Sequence, residues 1–331
     1  MTDSPFLLGI DLGGTSTKAI LCDRGGKVLD EALWPSIPAD VTVAEQFSRR
    51  VRDFCPTPPL AIGMAICGLI APDQSTLLHA PNARPLEQVP YRAILRALFP
   101  TEPIALLNDA KAFVYAEHRC GAATDLRHVL GVTLGTGIGG GLVLDGRLYL
   151  GARGWLGEIG HIPFDPNGPL CLCGLNGCLE ASCTEARLVR GYNDRLTDPR
   201  SRIETARALH DRALAGDPDA LASWHDYGMT LGQSLAAAHT LLDLEGVVLG
   251  GGIAESFAFF ETPLREQVVD LVPLGIERPL SIRVARLGRH AGAIGAALWA
   301  LEAGKIDGGV LHAAPPALPA EWIDVADLDL P

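Results

Sequence analysis

No stretch of this 331-residue chain approaches the roughly 18 apolar residues that a membrane helix needs, because the best run, Leu60 to Ala71, stops at Pro72. The first residues, Met1-Thr2-Asp3-Ser4-Pro5, lack the basic region and apolar core of a secretion signal. Positive charge is scarce as well. Lys and Arg number 27 against 39 Asp and Glu, a net charge of −12, so nonspecific attraction to nucleic-acid phosphate or anionic lipid is excluded. These absences together predict a cytoplasmic protein with neither a nucleic-acid nor a membrane partner. A P-loop is missing too, because neither Lys27 nor Lys305 is followed by Ser or Thr.

What is present is an ordinary globular composition, 48% hydrophobic and 20% charged, which excludes a disordered or collagen-like chain. At about 100–200 residues per domain, the length favours two domains. Glycine is abundant, with 37 residues, many of them clustered where backbone must turn sharply or approach something closely. Of eight cysteines, Cys171, Cys173 and Cys178 crowd together while Cys22, Cys55, Cys67, Cys120 and Cys183 are scattered. In a reducing compartment such crowding favours a metal site over disulfides.

The pattern opens with an apolar run, Phe6 to Ile10, then Gly13-Gly14-Thr15, a second run, Ala19 to Cys22, and the turn Asp23-Arg24-Gly25-Gly26. It reads as strand, Gly-rich turn, strand, turn. Sliding the sequence by 122 residues places Leu8-Gly9-Ile10-Asp11-Leu12-Gly13-Gly14-Thr15 on Leu130-Gly131-Val132-Thr133-Leu134-Gly135-Thr136-Gly137, so the same hairpin occurs twice. A repeat this long implies two related domains rather than a solenoid. Between the hairpins the spacing predicts helices near 43–54, 91–98 and 109–120, with strands at 60–66 and 104–107. Such alternation indicates a mostly parallel α/β sheet in each half. Residues 151–180 are Gly-, Pro- and Cys-rich loop, 184–242 read as helical, and a last α/β stretch has strands at 246–249 and 281–285 and a helix at 291–301. The tail from about Lys305 has no periodicity.

Three constellations carry chemistry. Gly135-Thr136-Gly137-Ile138-Gly139-Gly140 matches the dinucleotide fingerprint formally, but that motif needs a following helix and a strand follows here. What survives is a turn whose backbone N–H groups and Thr hydroxyl can face phosphate oxygens. One such turn is more often structural; two copies, each with Thr beside Gly, suit the phosphates of a nucleotide. Asn108-Asp109, between an apolar strand and a helix, is either an N-cap or a base that accepts a proton in phosphoryl transfer. Finally, His161, Cys171, Cys173 and Cys178 form H-x9-C-x-C-x4-C, a closed tetrahedral zinc set and hence a structural one. Glu158 and Glu180 bracket this loop, where a carboxylate can hold a sugar hydroxyl; an uncommitted surface Glu is the alternative.

At these residues the chain resembles the ROK family (repressors, open reading frames and sugar kinases) of the actin-like ATPase superfamily. Gly160, His161, Cys171, Cys173, Gly174, Gly177, Cys178 and Glu180 meet the family signature G-H-x9-C-x-C-G-x2-G-C-x-E in full. Asp11-Leu12-Gly13-Gly14-Thr15 and Leu134-Gly135-Thr136-Gly137 match its two phosphate motifs, and Gly250-Gly251-Gly252-Ile253 completes the set. The resemblance implies a two-lobed actin-like ATPase (ribonuclease H-like) α/β fold, a duplicated domain with an interlobe cleft. The small lobe would span 1–110, with the helix at about 290–303 packed back on it. The large lobe would span 111–303 with the zinc-binding sugar loop at 151–180, and 304–331 would be an irregular tail.

The resemblance further implies an ATP-dependent hexose kinase using Mg²⁺ and a structural Zn²⁺, acting as a homodimer, with glucose the favoured sugar and an N-acetylhexosamine or fructose the alternatives. Asp109 would be the base at the 6-hydroxyl. Asn82, Asn108, Glu158, His161 and Glu180 would hold the sugar together with Asp109. Asp11, Gly13, Gly14, Thr15, Thr136 and Gly137 would serve the phosphates and Mg²⁺, and Gly251 and Gly252 would edge the adenosine pocket. The rival class is a non-catalytic sugar-sensing regulator, which in this family carries an N-terminal helix-turn-helix; a first strand at about Phe6 leaves no room for one. Two positions depart from the family pattern: Lys111, where Asn is usual and which the helix is expected to direct to solvent, and Trp155, bulkier than expected.

Overall fold

In a computed structural model, residues 5–71, 74–80, 83–274 and 277–303 are described. They form two compact units: one comprises the chain up to Asp125, Gly141–Gly157 and the chain from Arg286 onward, and the other Leu126–Gly140 and Glu158–Ala285. Among the described residues no helix is long and apolar enough to cross a membrane.

The first unit starts with β1 (Leu7–Leu12), β2 (Ser16–Cys22) and β3 (Val28–Pro35), an antiparallel run in which Asp11 stands opposite Lys18. Helix α1 (Val43–Phe54) leads to β4 (Ile62–Ile66), which pairs parallel with β1. A parallel pair needs such a crossover. Thr42 begins α1 with a capping box: its hydroxyl accepts the Glu45 N–H at 3.2 Å, and Glu45 Oε2 accepts the Thr42 N–H at 3.0 Å. The ribbon of β5 (Leu69–Ile70) and β6 (Leu77–His79) follows, then α2 (Tyr91–Leu98), β7 (Ile104–Asn108) and α3 (Asp109–Cys120). The sheet order is β3-β2-β1-β4-β7.

The strand period of two sorts the two faces of this sheet. Leu8, Ile10, Leu12, Ile62, Met64, Ile66, Ile104 and Leu106 share one buried cluster with Phe47 and Val51 of α1 and Tyr91 and Leu95 of α2. On the other face Gly9 and Gly63 meet the last described helix. A Cβ on Gly9 would stand 2.2 Å from Ala293 O, and one on Gly63 1.9 Å from Ala296 O. Glycine is required there so that backbone can lie directly on backbone.

The second sheet has the order β10-β9-β8-β11-β12, built from β8 (Val129–Leu134), β9 (Ile138–Leu144), β10 (Arg147–Tyr149), β11 (Gly246–Gly250) and β12 (Ser281–Val284). Its first two strands reproduce β1 and β2 residue for residue at the expected offset, and in each sheet the hairpin continues into parallel neighbours. Helices α4 (Leu179–Cys183), α5 (Glu185–Asn193), α6 (Ala206–Leu214), α7 (Pro218–Leu242) and α8 (Phe257–Leu271) lie between β10 and β12, and α9 (Ala291–Ala303) ends the described chain. Strands β3, β5, β6 and β10 and helix α8 were not anticipated from the sequence.

Candidate functional site

In the first unit the phosphate-motif turn joins β1 to β2. Gly13 N donates to Ser16 O at 3.2 Å, which tightens the turn and leaves Thr15 exposed at its tip. Ser36, at the end of β3, secures the turn: its hydroxyl donates to Gly13 O at 2.6 Å and its N–H to Thr15 O at 3.0 Å, while its oxygen lies 2.9 Å from the buried Thr17 hydroxyl. Asp11, at the end of β1, accepts from Lys18 Nζ at 3.1 Å, and its side chain is only 15% exposed. Gly292, in the first turn of α9, faces the same carboxylate, with a Cβ there 3.1 Å from it. Sequence reasoning missed Lys18 and Ser36. Counting hairpin register outward from the turn would have placed Lys18 opposite Asp11.

Both readings of Asn108 meet in its geometry. As the N-cap of α3 its Oδ1 accepts from Ala110 N at 3.1 Å and Lys111 N at 3.3 Å, and its Nδ2 donates to Gly68 O at 3.2 Å. An amide nitrogen has two hydrogens, so one donor remains for a ligand. Asp109 is the first residue of α3, with Oδ1 accepting from Ala110 N at 2.9 Å. Cys67, just past β4, lies within electrostatic reach of both acids: burial pushes its thiol up to about 12, and the charges of Asp109 and Asp11 add to the effect. Asp11 and Asp109 therefore converge on one end of the sheet, beyond the carboxyl ends of parallel strands, where open α/β sheets bind ligands.

Lys111 does not point to solvent. It is 1% exposed and lines a cavity of about 340 Å³ with Asn108, Gly68–Ala71, Arg92, Trp155 and Trp299. Every residue of α3 from Ala110 to Glu117 is buried, so the helix has no free side along that length for a lysine to reach water. Trp155 closes part of the same cavity, donating its Nε1–H to Ile70 O at 3.1 Å. Asn82 lies outside the described residues, as does the tail from 304.

In the second unit the β8–β9 turn occupies the same place but closes one residue sooner: Gly135 N donates to Gly137 O at 3.1 Å, and Thr136, at the position of Gly14, is exposed at the tip. Gly251, after β11, has φ +84°, and a Cβ there would stand 2.2 Å from Leu134 O, whereas a Cβ on Gly252 would meet open space. The turn after β11 is thus pressed against the end of β8 with one face left clear.

His161 ends a 3-10 turn that begins at Ile159, and Cys178 immediately precedes α4. Cys171 Sγ lies 3.6 Å from His161 Nδ1 and Cys173 Sγ 3.5 Å from Cys178 Sγ, and the ligand atoms of all four residues fall within 4.8 Å of one another. Tetrahedral zinc, with Zn–S about 2.3 Å and Zn–N about 2.0 Å, spaces its ligands about 3.5–3.8 Å apart, so the set fits that ion. The knuckle is fixed by its own backbone: Cys171 N donates to Leu175 O at 2.8 Å and Gly174 N to Cys171 O at 2.9 Å. Gly177, at φ +69°, leaves no space for a Cβ, which would overlap Asp165 O at 1.6 Å. Glu158 precedes the 3-10 turn, its carbonyl accepting from His161 N at 3.1 Å. Glu180, in the first turn of α4, spends Oε2 on Ile138 N at 2.8 Å.

A duplicated hairpin with two Thr-bearing turns, acids at the end of one sheet and a Cys₃His knuckle in the other unit mark an α/β protein of the actin-like ATPase class. The ROK family model matches residues 7–303, and the chain belongs to that family. A glucokinase of Thermotoga maritima is 34% identical over 308 residues, 88% of this chain and 96% of its own. An N-acetylmannosamine kinase of Escherichia coli is 32% identical over 307 residues, 88% of this chain and 97% of its own. The crystal structure of a ROK family glucokinase from Streptomyces griseus in complex with glucose and AMPPNP is 27% identical with a TM-score of 0.77, covering 90% of this chain and 99% of that one.

Proposed function

We propose that this protein is an ATP-dependent hexose kinase that phosphorylates the 6-hydroxyl of glucose, with Asp109 as the base. The observation that carries this reading is the convergence of Asp109 and Asp11 on Cys67 at the ends of β1, β4 and β7. One acid can take a proton while the other serves the phosphate side. Asp109, held at the start of α3, accepts the proton as the sugar oxygen attacks the γ-phosphorus, and the bond to the bridging oxygen of ADP breaks. Bound Mg²⁺ would neutralise charge on the phosphates, with Asp11 beside it. The exposed Thr15 and Thr136 and their turn amides hold phosphate oxygens, and Gly251 and Gly252 border the adenosine. Asn108, Glu158, His161 and Glu180 hold sugar hydroxyls, Asn108 through the amide hydrogen left after its bond to Gly68 O. His161, Cys171, Cys173 and Cys178 hold a zinc ion whose work is structural.

The relative acting on N-acetylmannosamine supports a second reading, an N-acetylhexosamine kinase. Discrimination between sugars differing at one carbon rests on pocket shape. ADP release from Mg-ATP, measured with glucose, mannose, fructose, N-acetylglucosamine and N-acetylmannosamine in parallel, separates the two. Release driven by glucose supports the first reading; release driven only by an acetamido sugar replaces it with the second. No release with any sugar, with sugar binding retained, turns the protein into a sensor.

A further inference from the structure

Two parts of the Cys/His knuckle bear on a single residue, Ile138, which ends the β8–β9 turn and begins β9. Glu180, two residues past Cys178, accepts the Ile138 N–H at 2.8 Å. Gly160, immediately before His161, lies so close that a Cβ would stand 2.3 Å from Ile138 O. The amide of Ile138 is thus bonded, and its carbonyl closely packed, by neighbours of zinc-ligand residues, one at each end of the motif. The turn itself is gripped once more, by Glu185 N donating to Gly135 O at 2.9 Å from the start of α5. Gly137 packs against the same carboxylate: a Cβ there would come within 2.8 Å of Glu180 Oε2 and push on it. The direction of the turn's N–H groups is therefore set from the knuckle side.

We propose that metal held by His161, Cys171, Cys173 and Cys178 positions the second phosphate turn through Glu180, so that zinc governs nucleotide affinity in addition to ordering the sugar loop. This rests on reading the β8–β9 turn as a phosphate grip. Glu180 is a positioning residue in this role: one carboxylate oxygen stays on Ile138 while the other is open to the sugar. Loss of the metal frees the two ends of the knuckle, and with them the bond to the Ile138 amide and the packing of Gly160 on its carbonyl.

The test is hydrogen exchange of the full-length protein, free of sugar and nucleotide, followed by mass spectrometry on peptides spanning 134–141, with β11 as the internal reference. Zinc-loaded protein is compared with chelator-treated protein, Glu180→Ala and Glu180→Gln. The turn is expected to exchange about tenfold faster after zinc removal and in Glu180→Ala, the size set by losing one hydrogen bond to a charged acceptor. In Glu180→Gln it stays near wild type, because the amide oxygen still accepts the Ile138 N–H. ADP titration without sugar then shows a dissociation constant about tenfold higher in the first two and within twofold in the third. Unchanged exchange at the turn overturns the proposal, and so does β11 speeding up equally on zinc removal, which makes the metal a general stabiliser. Should Glu180→Ala fail to fold, zinc removal and Glu180→Gln decide. Absence of sugar-dependent ADP release in wild type defeats the kinase reading alone, because exchange at the turn needs no catalysis.

Discussion

The two Gly-rich hairpins share strand lengths, offset and sheet position, yet their turns are held by different means. The β1–β2 turn is fixed by its own sheet, through Ser36 at the end of β3. The β8–β9 turn is fixed from outside its sheet, by Glu180 and the N-terminus of α5. The same geometry occurs twice, and each copy has a separate support: hydroxyls in one, a carboxylate next to the Cys/His knuckle in the other. The first turn should be indifferent to zinc and the second should not.

The largest effect expected anywhere falls in the first unit, at the proposed base. Asp109→Asn keeps the start of α3 and removes the base, and kcat should fall by about 10²–10⁴-fold with nucleotide affinity within twofold. Steady-state kinetics alongside ADP titration checks both halves; an equal loss in binding would mean that Asp109 shapes the site rather than taking the proton. Next in size is Gly177→Ala in the second unit. A Cβ has to displace Asp165 O from 1.6 Å in a left-handed conformation, so the knuckle should lose about 3 kcal/mol and bind zinc more weakly. Metal analysis after dialysis and the melting temperature test this, and full zinc retention would show that the knuckle tolerates a shifted backbone.

Much of this arrangement was legible in the sequence, for identifiable reasons. The hairpin repeat, the Cys/His spacing and helices α1, α2 and α3 stand out because each is a local signal: an offset, a ligand spacing, an apolar spacing along the helix. Strand β3 escaped because it is an edge strand with Asp30 and Glu31 exposed, so its residues follow no clean alternation of apolar and polar. Strands β5, β6 and β10 are two or three residues long, too short for any period. Helix α8 was hidden by Pro263 in its interior. Lys111 was misjudged because a helix buried along a whole run of residues is a property of the tertiary structure, and a lysine gives no sign of it. Lys18 could be reached by counting register outward from the β1–β2 turn, whereas Ser36 depends on the pairing of β3, a strand the sequence does not announce.

Two smaller changes sharpen the contrast between the turns. Ser36→Ala removes the donor to Gly13 O and the partner of Thr17 Oγ1, which should cost about 1–2 kcal/mol and loosen the β1–β2 turn alone. Hydrogen exchange should speed up in peptides covering 12–16 and not in those covering 134–141; a rise in both would mean that the turns do not have independent supports.

The smallest effect belongs to Trp155→Phe. The substitution keeps a ring against the cavity wall and deletes only the Nε1–H donated to Ile70 O, so stability should fall by about 1 kcal/mol, the usual net worth of one such bond. Because Trp155 and Ile70 both belong to the first unit, zinc content and exchange at the β8–β9 turn should be unchanged while the melting temperature drops slightly. Comparing kcat/KM for glucose with that for N-acetylmannosamine in the same variant adds a functional readout. Trp155 lines the cavity that also contains Asn108, so a changed ratio would give the indole a share in sugar choice, and an unchanged ratio would confine it to holding the 150–155 segment against β5.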